Sequence, residues 1–409
     1  MRILIIRREP PWPLYYGGRL HSYELCRRLA QRHQVLLVAE RPCEEPAAPF
    51  NFECRVARAG RLLDAPDDGR GPHPRPDRID AFFGIDPVFT HELARLAAQW
   101  RPDVAVGMGY LSLAHLAGLS DIPKICDLGD DEVLHRLLEL RHGRLTRKWH
   151  DLKCLLAALL YQRRYLRQVQ AVTVLSEADR RFCYAYTRHP RVVCIPHGVD
   201  CDHYAPQQTP PDEDRIIFWG SLTFGPNISA ILYFAEKVWP QVLRRRPGLR
   251  WTIIGRGDSP ALQSVRVMPG VDFVGQVEDI RPHAARAAVV VVPMVSGAGI
   301  KNKIMEAWAM GKPVLCTPRA LGSLPGEHSR NVWLARTPRE LATGLLRLLE
   351  QPGLREALGT AARQTALRHC SWDRAAQELE RLCCELVRPE PAAWSSPLVQ
   401  ADPLLSGRC

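Results

Sequence analysis

Short runs of Val, Ile and Leu alternate with segments of helical period along almost the whole chain, and the alternation is interrupted once. Arg2–Arg7, Gln34–Ala39, Asp103–Met108, Pro123–Asp127, Ala171–Leu175 and Val192–Ile195 have strand length and little polar content. Between them lie helical patterns, such as the face made by Leu20, Leu25, Leu29 and Ala30. A strand that is apolar on every residue must be covered on both faces, which is the condition of a parallel sheet wound with helices. Residues 201–214 are polar and hold three prolines, so they read as a linker. The pattern then restarts with Ile216–Trp219, Trp251–Ile254, Val271–Val274, Ala288–Val292, Val314–Thr317 and Val332–Ala335. The expectation is α/β: two Rossmann-like, doubly wound parallel-sheet domains, 1–200 and 215–387, facing across a ligand cleft. Residues 388–409 lack periodicity and are expected to form a disordered tail.

The composition narrows the function classes. In 409 residues, 46% are hydrophobic and 24% charged, as in an ordinary globular protein, and the net charge is +11. That excess suits an anionic ligand or surface. The arginines are scattered rather than interleaved with aromatic residues, so no nucleic-acid partner is expected. The 13 cysteines include no C-x-x-C pair, which argues for reduced thiols and against a zinc site. No signal peptide or spanning segment is legible, and a cytoplasmic location is expected. A dehydrogenase fits poorly, because no G-x-G-x-x-G follows the first strand.

One stretch carries chemistry. Gly297-Ala298-Gly299-Ile300-Lys301-Asn302-Lys303 follows the strand ending near Pro293 and opens a helix that runs to Gly311. A glycine-rich turn between strand and helix presents backbone N–H groups and a helix N-terminus to a phosphate. Glu306 is expected about two turns into that helix. Its neighbours Ile304, Met305, Ala307, Trp308 and Met310 are apolar, so the carboxylate needs a partner, and sugar hydroxyls are one candidate.

Together with other segments, this stretch resembles the GT-B glycosyltransferases of the large retaining family 4, over roughly residues 1–387. The resemblance rests on the Gly17-Gly18 loop, Ile195-Pro196-His197-Gly198-Val199-Asp200, Gly255-Arg256-Gly257, Gly275 and the Glu306 helix with Gly311-Lys312-Pro313-Val314. The segments Phe218-Trp219-Gly220-Ser221, Pro226-Asn227 and Gly299–Lys303 resemble those of sugar transferases from bacterial exopolysaccharide and exosortase-associated loci. The resemblance implies metal-independent transfer of a sugar, with retention, from a nucleotide-sugar to a glycan or lipid-linked glycan acceptor. No cofactor beyond the donor is expected.

Residue by residue, it implies that Gly17, Gly18, Gly220, Ser221, Asn227, Gly255, Arg256, Gly297, Ala298, Gly299, Ile300, Lys301 and Glu306 surround the donor. Asp127, Lys303 and Glu306 are the expected catalytic positions. Three departures stand out. The family's first acidic residue falls at Ala298, and Ser221 and Asn227 stand near the usual Arg and Lys. Asp127 occupies the location of a cleft histidine. Lys301 or Lys303, and of the two preferably Lys303, is expected to restore the missing positive charge; the alternative for both is a solvated helix end. For Asp127 the alternative is a turn or cap role. A non-catalytic nucleotide-sugar-binding subunit and a GT-B epimerase also stay open.

The segment 141–167 has Arg144, Arg147, Lys148, Lys153, Arg163, Arg164 and Arg167 around Leu152, Leu155, Leu156, Leu159 and Leu160. Such a basic amphipathic helix would suit contact with the inner face of an anionic membrane; the alternative is a core helix with a solvated basic face.

Overall fold

The structure is a computed structural model and describes the chain apart from residues 13, 15–16, 43–49, 58–61, 63–75, 130, 143–147, 298–299 and 389–409. Among the described residues the first sheet contains β1 (Arg2–Arg7), β2 (Gln34–Ala39), β3 (Glu53–Val56), β4 (Val104–Met108), β5 (Lys124–Gly129), β6 (Ala171–Val174) and β7 (Val192–Cys194). Their order is β3-β2-β1-β4-β5-β6-β7, and every pairing is parallel. The second sheet contains β8 (Asp212–Trp219), β9 (Arg250–Ile254), β10 (Val271–Gly275), β11 (Ala287–Val292), β12 (Val314–Cys316) and β13 (Trp333–Leu334). It runs β10-β9-β8-β11-β12-β13, again all parallel.

The apolar runs have the expected cause. Ile3, Leu4, Ile5 and Ile6 are all fully buried. Leu4 and Ile6 enter the core on one face of the sheet, with Phe89, Leu93 and Tyr161, while Ile3 and Ile5 enter the core on the other, with Leu25 and Leu29. The second sheet has one continuous core around Trp239, Trp251 and Trp308.

Some elements differ from the expectation. The edge strand β3 was not legible, because its residues are only partly buried and half of them charged. Residues 133–169, expected from sequence to be one long basic helical region, hold the two helices Glu132–His142 and Lys148–Tyr165, with 143–147 outside the described residues. Residues 372–387, which the sequence reading placed within the second domain without an element of their own, form the helix Trp372–Val387, and it packs Trp372, Ala375, Ala376, Leu379, Leu382 and Cys383 into the core of the first. The chain therefore passes between the domains twice. The two passages lie side by side: Val199 pairs with Ser371, and the Val199 N–H donates to the Cys370 carbonyl at 2.6 Å. Residues 389–409, the bulk of the expected tail, lie outside the described residues.

Both sheets reverse their winding direction at one place, between β1 and β4 and between β8 and β11. At such a switch point the loops leaving the C-terminal strand ends diverge and leave a crevice. The segments after β1, β8 and β11 are those that carry Gly17, Gly220, and Gly297 with Lys303.

Candidate active site

Asn302–Ala309 forms the helix after β11, so Glu306 lies one turn in rather than two. Ile304, Met305, Ala307 and Trp308 are fully enclosed, and Lys301 and Lys303 are buried as well. The partner that Glu306 required is Trp219, at the end of β8, whose Nε1 donates to Glu306 Oε2 at 2.7 Å. Burial raises the Glu306 pKa, against the pull of that hydrogen bond and of Lys303. Lys303 Nζ donates to Asn227 Oδ1 at 2.7 Å and lies 4.1 Å from the centre of the Phe218 ring. Burial pushes its pKa down to about 7, with the Glu306 carboxylate acting in the opposite sense.

The loop after β8 is shaped around this ammonium group. Gly220 has φ 147°, and a β-carbon there would stand 2.7 Å from Asn227 Nδ2 and 2.9 Å from Lys303 Nζ. Only glycine suits that backbone and that gap. Asn227 Nδ2 donates to the Ser221 carbonyl at 2.9 Å, so Asn227 ties the loop to Lys303. Ser221 places its hydroxyl 2.9 Å from Thr223 Oγ1 instead of on Lys303. Gly255 backs Gly220: a β-carbon at Gly255 would stand 2.0 Å from the Gly220 carbonyl oxygen. The Arg256 carbonyl accepts the Leu222 N–H at 2.9 Å. Gly297 has φ 91° and lies against Pro226, with Lys301 Nζ 4.0 Å from the position of its absent β-carbon. Ile300 is partly buried against the second core. Ala298 and Gly299 fall outside the described residues.

The first domain meets this site at Gly17, the first residue of the helix Gly17–Leu29. A β-carbon at Gly17 would lie 3.6 Å from His197 Cε1 and 4.0 Å from Asn302 Nδ2. Gly18 is exposed, and its carbonyl accepts the Ser22 hydroxyl at 3.0 Å. Between the domains opens a cavity of about 490 Å³, lined by Gly17, Asp200, Tyr204, Asn302, Glu306 and Trp372 among others. A second, of about 440 Å³, lies beside His197, Ile300 and Arg374.

Asp127 is placed beneath this region, enclosed in the first domain. Its Oδ2 is 2.9 Å from His21 Nε2, and its Oδ1 accepts the Thr173 hydroxyl at 2.7 Å. Burial alone would raise the Asp127 pKa; the His21 and Thr173 contacts outweigh it and hold the carboxyl below its usual range. His21 in turn packs beside His197, ring centres 4.8 Å apart, and both rings pack on Trp372. Burial, then the neighbouring His21, pushes the His197 pKa down to about 3, so this ring is neutral at physiological pH. Reasoning from sequence missed the roles of His21, Trp219 and Trp372, and it quoted His197 only within a motif.

Two family models divide the chain between them. Residues 16–203 match Glycosyltransferase Family 4, and residues 213–351 match the glycosyl transferases group 1. The chain thus has the two-domain GT-B fold of the family 4/group 1 glycosyltransferases. Among curated relatives, it is 30% identical over 204 residues to a phosphatidyl-myo-inositol mannosyltransferase of Mycobacterium tuberculosis, covering 46% of this chain and 52% of that one. It is 27% identical over 234 residues, 50% and 60% of the two chains, to a GDP-mannose-dependent monoacylated alpha-(1-6)-phosphatidylinositol monomannoside mannosyltransferase of Corynebacterium glutamicum. The chain spans about half the length of the curated relatives it matches. Among solved structures, sucrose-phosphate synthase of Thermosynechococcus elongatus superposes with a TM-score of 0.67 at 19% identity, covering 94% of this chain and 99% of the other. Anabaena HepE in complex with UDP gives 0.64 at 16%, covering 94% and 100%.

Proposed function

We propose that this chain transfers a hexose from a nucleoside-diphosphate donor to a glycan or lipid-linked glycan, in the synthesis of a bacterial exopolysaccharide or other cell-surface polysaccharide. The observation that carries the reading is the buried Lys303 ammonium under Gly220, one turn before Glu306, at the switch point of the second sheet. The names of the curated relatives favour mannose as the hexose.

Transfer breaks the bond between the sugar's anomeric carbon and the phosphate oxygen. Positive charge develops on the sugar ring and negative charge on the departing diphosphate. Fixed donors aimed at that diphosphate supply most of the rate enhancement in such reactions. Lys303, held by Asn227, and the start of the Asn302–Ala309 helix would do so here without a metal. Glu306, oriented by Trp219, would accept hydrogen bonds from the ribose hydroxyls. Gly17 would let the first domain close against the diphosphate, and His197, which lies 3.6 Å from the position of a Gly17 β-carbon, would face the transferred sugar. Asp127 would act as a positioning residue through His21. Its enclosure between His21 and Thr173 leaves it poorly placed to attack the sugar, so transfer with retention would proceed not through a glycosyl-Asp127 intermediate but by approach of the acceptor on the face the diphosphate leaves. The departing phosphate oxygen would then take the acceptor's proton.

A panel of GDP-, UDP-, ADP- and dTDP-sugars tests the reading by thermal shift, with Glu306→Ala alongside. A ligand at a hundred times its Kd should stabilise the protein by about 2.7 kcal/mol. A shift with one nucleotide, lost in Glu306→Ala, is expected; no shift with any of them would overturn the donor site. NMR of the product's anomeric configuration and turnover in EDTA check retention and metal independence. Ala298, in place of the family's first acidic residue, favours one rival, a non-catalytic binding subunit; for that subunit the shift would appear without any transferred sugar.

A further inference from the structure

On the helix Lys148–Tyr165, the exposed side chains Trp149, Lys153, Leu156, Leu160 and Arg163 follow one another at intervals of three and four residues. At 3.6 residues per turn they fall within an arc of about 80°. The opposite side buries Cys154, Ala158, Tyr161, Gln162 and Tyr165 against the first domain. The outward stripe is therefore apolar and basic at once: Trp149 is 78% exposed, Leu156 49% and Leu160 55%. Phe82, Leu137 and Tyr184, also exposed, sit on the three helices Arg78–Phe83, Glu132–His142 and Glu177–Thr187, each of which packs against this one. Six of the eleven exposed large apolar residues among the described ones thus belong to a single cluster of helices. Lys148, Lys153, Arg163 and Arg167 have no acidic partner among the described residues, whereas Arg164 is paired with Asp77.

We propose that this face docks on an anionic lipid surface. The charge pattern selects that occupant. Lysine is depleted from protein–protein interface cores. Helices that lie in a membrane interface combine Trp and Leu with Lys and Arg, whose stems bury while their charges reach the phosphates. The chain's net charge of +11 acts in the same direction. No helix among the described residues is long and apolar enough to cross a membrane, so the contact is peripheral. The Glu132–His142 helix, which packs against this one, begins just beyond β5, the strand that carries Asp127. Such docking would suit a lipid-linked acceptor, a corollary that rests on the transferase reading.

The test is sedimentation of the full chain with phosphatidylcholine vesicles containing or lacking phosphatidylglycerol. Binding is expected only with the anionic lipid and should fall at high salt. Leu156→Glu with Leu160→Glu should weaken it at least tenfold while leaving the circular dichroism spectrum and the nucleotide thermal shift unchanged. Equal pelleting of the double variant, or no pelleting of the native chain, overturns the proposal. So does a lipid-free dimer in light scattering that the same double substitution dissociates, because a second copy would then cover the face. The nucleotide shift is read without vesicles, so failure here and failure of the donor site are separate results.

Discussion

Replacing Lys303 by Met should stabilise the unliganded protein at neutral pH while removing donor binding. Burial brings the Lys303 pKa from 10.5 to about 7. At about 1.4 kcal/mol per pKa unit, the folded protein at pH 7 carries a penalty of roughly 4 kcal/mol for this site relative to the unfolded chain. Met removes that penalty but leaves Asn227 Oδ1 without its donor, which costs about 1–3 kcal/mol. The net gain is about 1–3 kcal/mol. The pH dependence fixes the sign. Because the folded-state pKa is the lower one, the unfolded chain binds the extra proton between pH 7 and 10.5, and the native protein gains stability as pH rises through that window. The advantage of the variant should therefore shrink by about 1.4 kcal/mol per pH unit and reverse near about pH 9. Urea unfolding of both proteins, followed by tryptophan fluorescence from pH 6 to 10.5, measures the difference, and groups titrating alike in both cancel. A variant less stable at pH 7, or a difference flat across the window, would refute the account of a strained, donor-seeking lysine.

Three further outcomes are expected. Glu306→Gln keeps an oxygen for Trp219 Nε1 but loses the charge on the ribose, so donor affinity in calorimetry should fall about 10- to 100-fold with Tm nearly unchanged. Gly220→Ala sets a β-carbon against Asn227 and Lys303 at φ 147°, and should lower stability by about 2 kcal/mol or more in thermal unfolding and weaken donor binding in the same protein. Asp127→Asn leaves the buried hydrogen-bond partners in place and removes the charge that orients His21; kcat should drop at least tenfold while the donor KM changes less than threefold, and equal losses in both would argue for a purely structural role.

The sequence revealed most where burial is symmetric. Strands such as β1 and β11 are covered on both faces, so β11 is apolar throughout and β1 is apolar at all four residues between its terminal arginines, and the runs stand out. β3 sits at the sheet edge with Glu53 and Arg55 in it, and that signal vanishes. Residues 372–387 were placed in the second domain by their position in the chain, and no local feature of theirs says on which sheet they lie. In the site, Lys303 and Glu306 were legible because they share one short motif with the glycine turn. Trp219 and Glu306 are 87 residues apart in the chain, and His21 and Asp127 are 106 apart. Neither partnership has a local pattern, so only the folded arrangement brings them to light.

The helix Trp372–Val387 makes the first domain discontinuous along the chain. During synthesis the ribosome completes the first sheet early, yet Leu25, Cys26 and Leu29 keep one apolar side uncovered until the whole second domain has been made. At roughly 5–20 residues per second, that interval lasts on the order of ten to thirty seconds. The nascent first domain must spend it exposed to chaperones and to neighbouring chains, and a fragment cut after residue 369 would keep that surface permanently open. The halves of this protein are therefore unsuited to separate expression: the second domain is the bridge by which the first obtains its own missing wall.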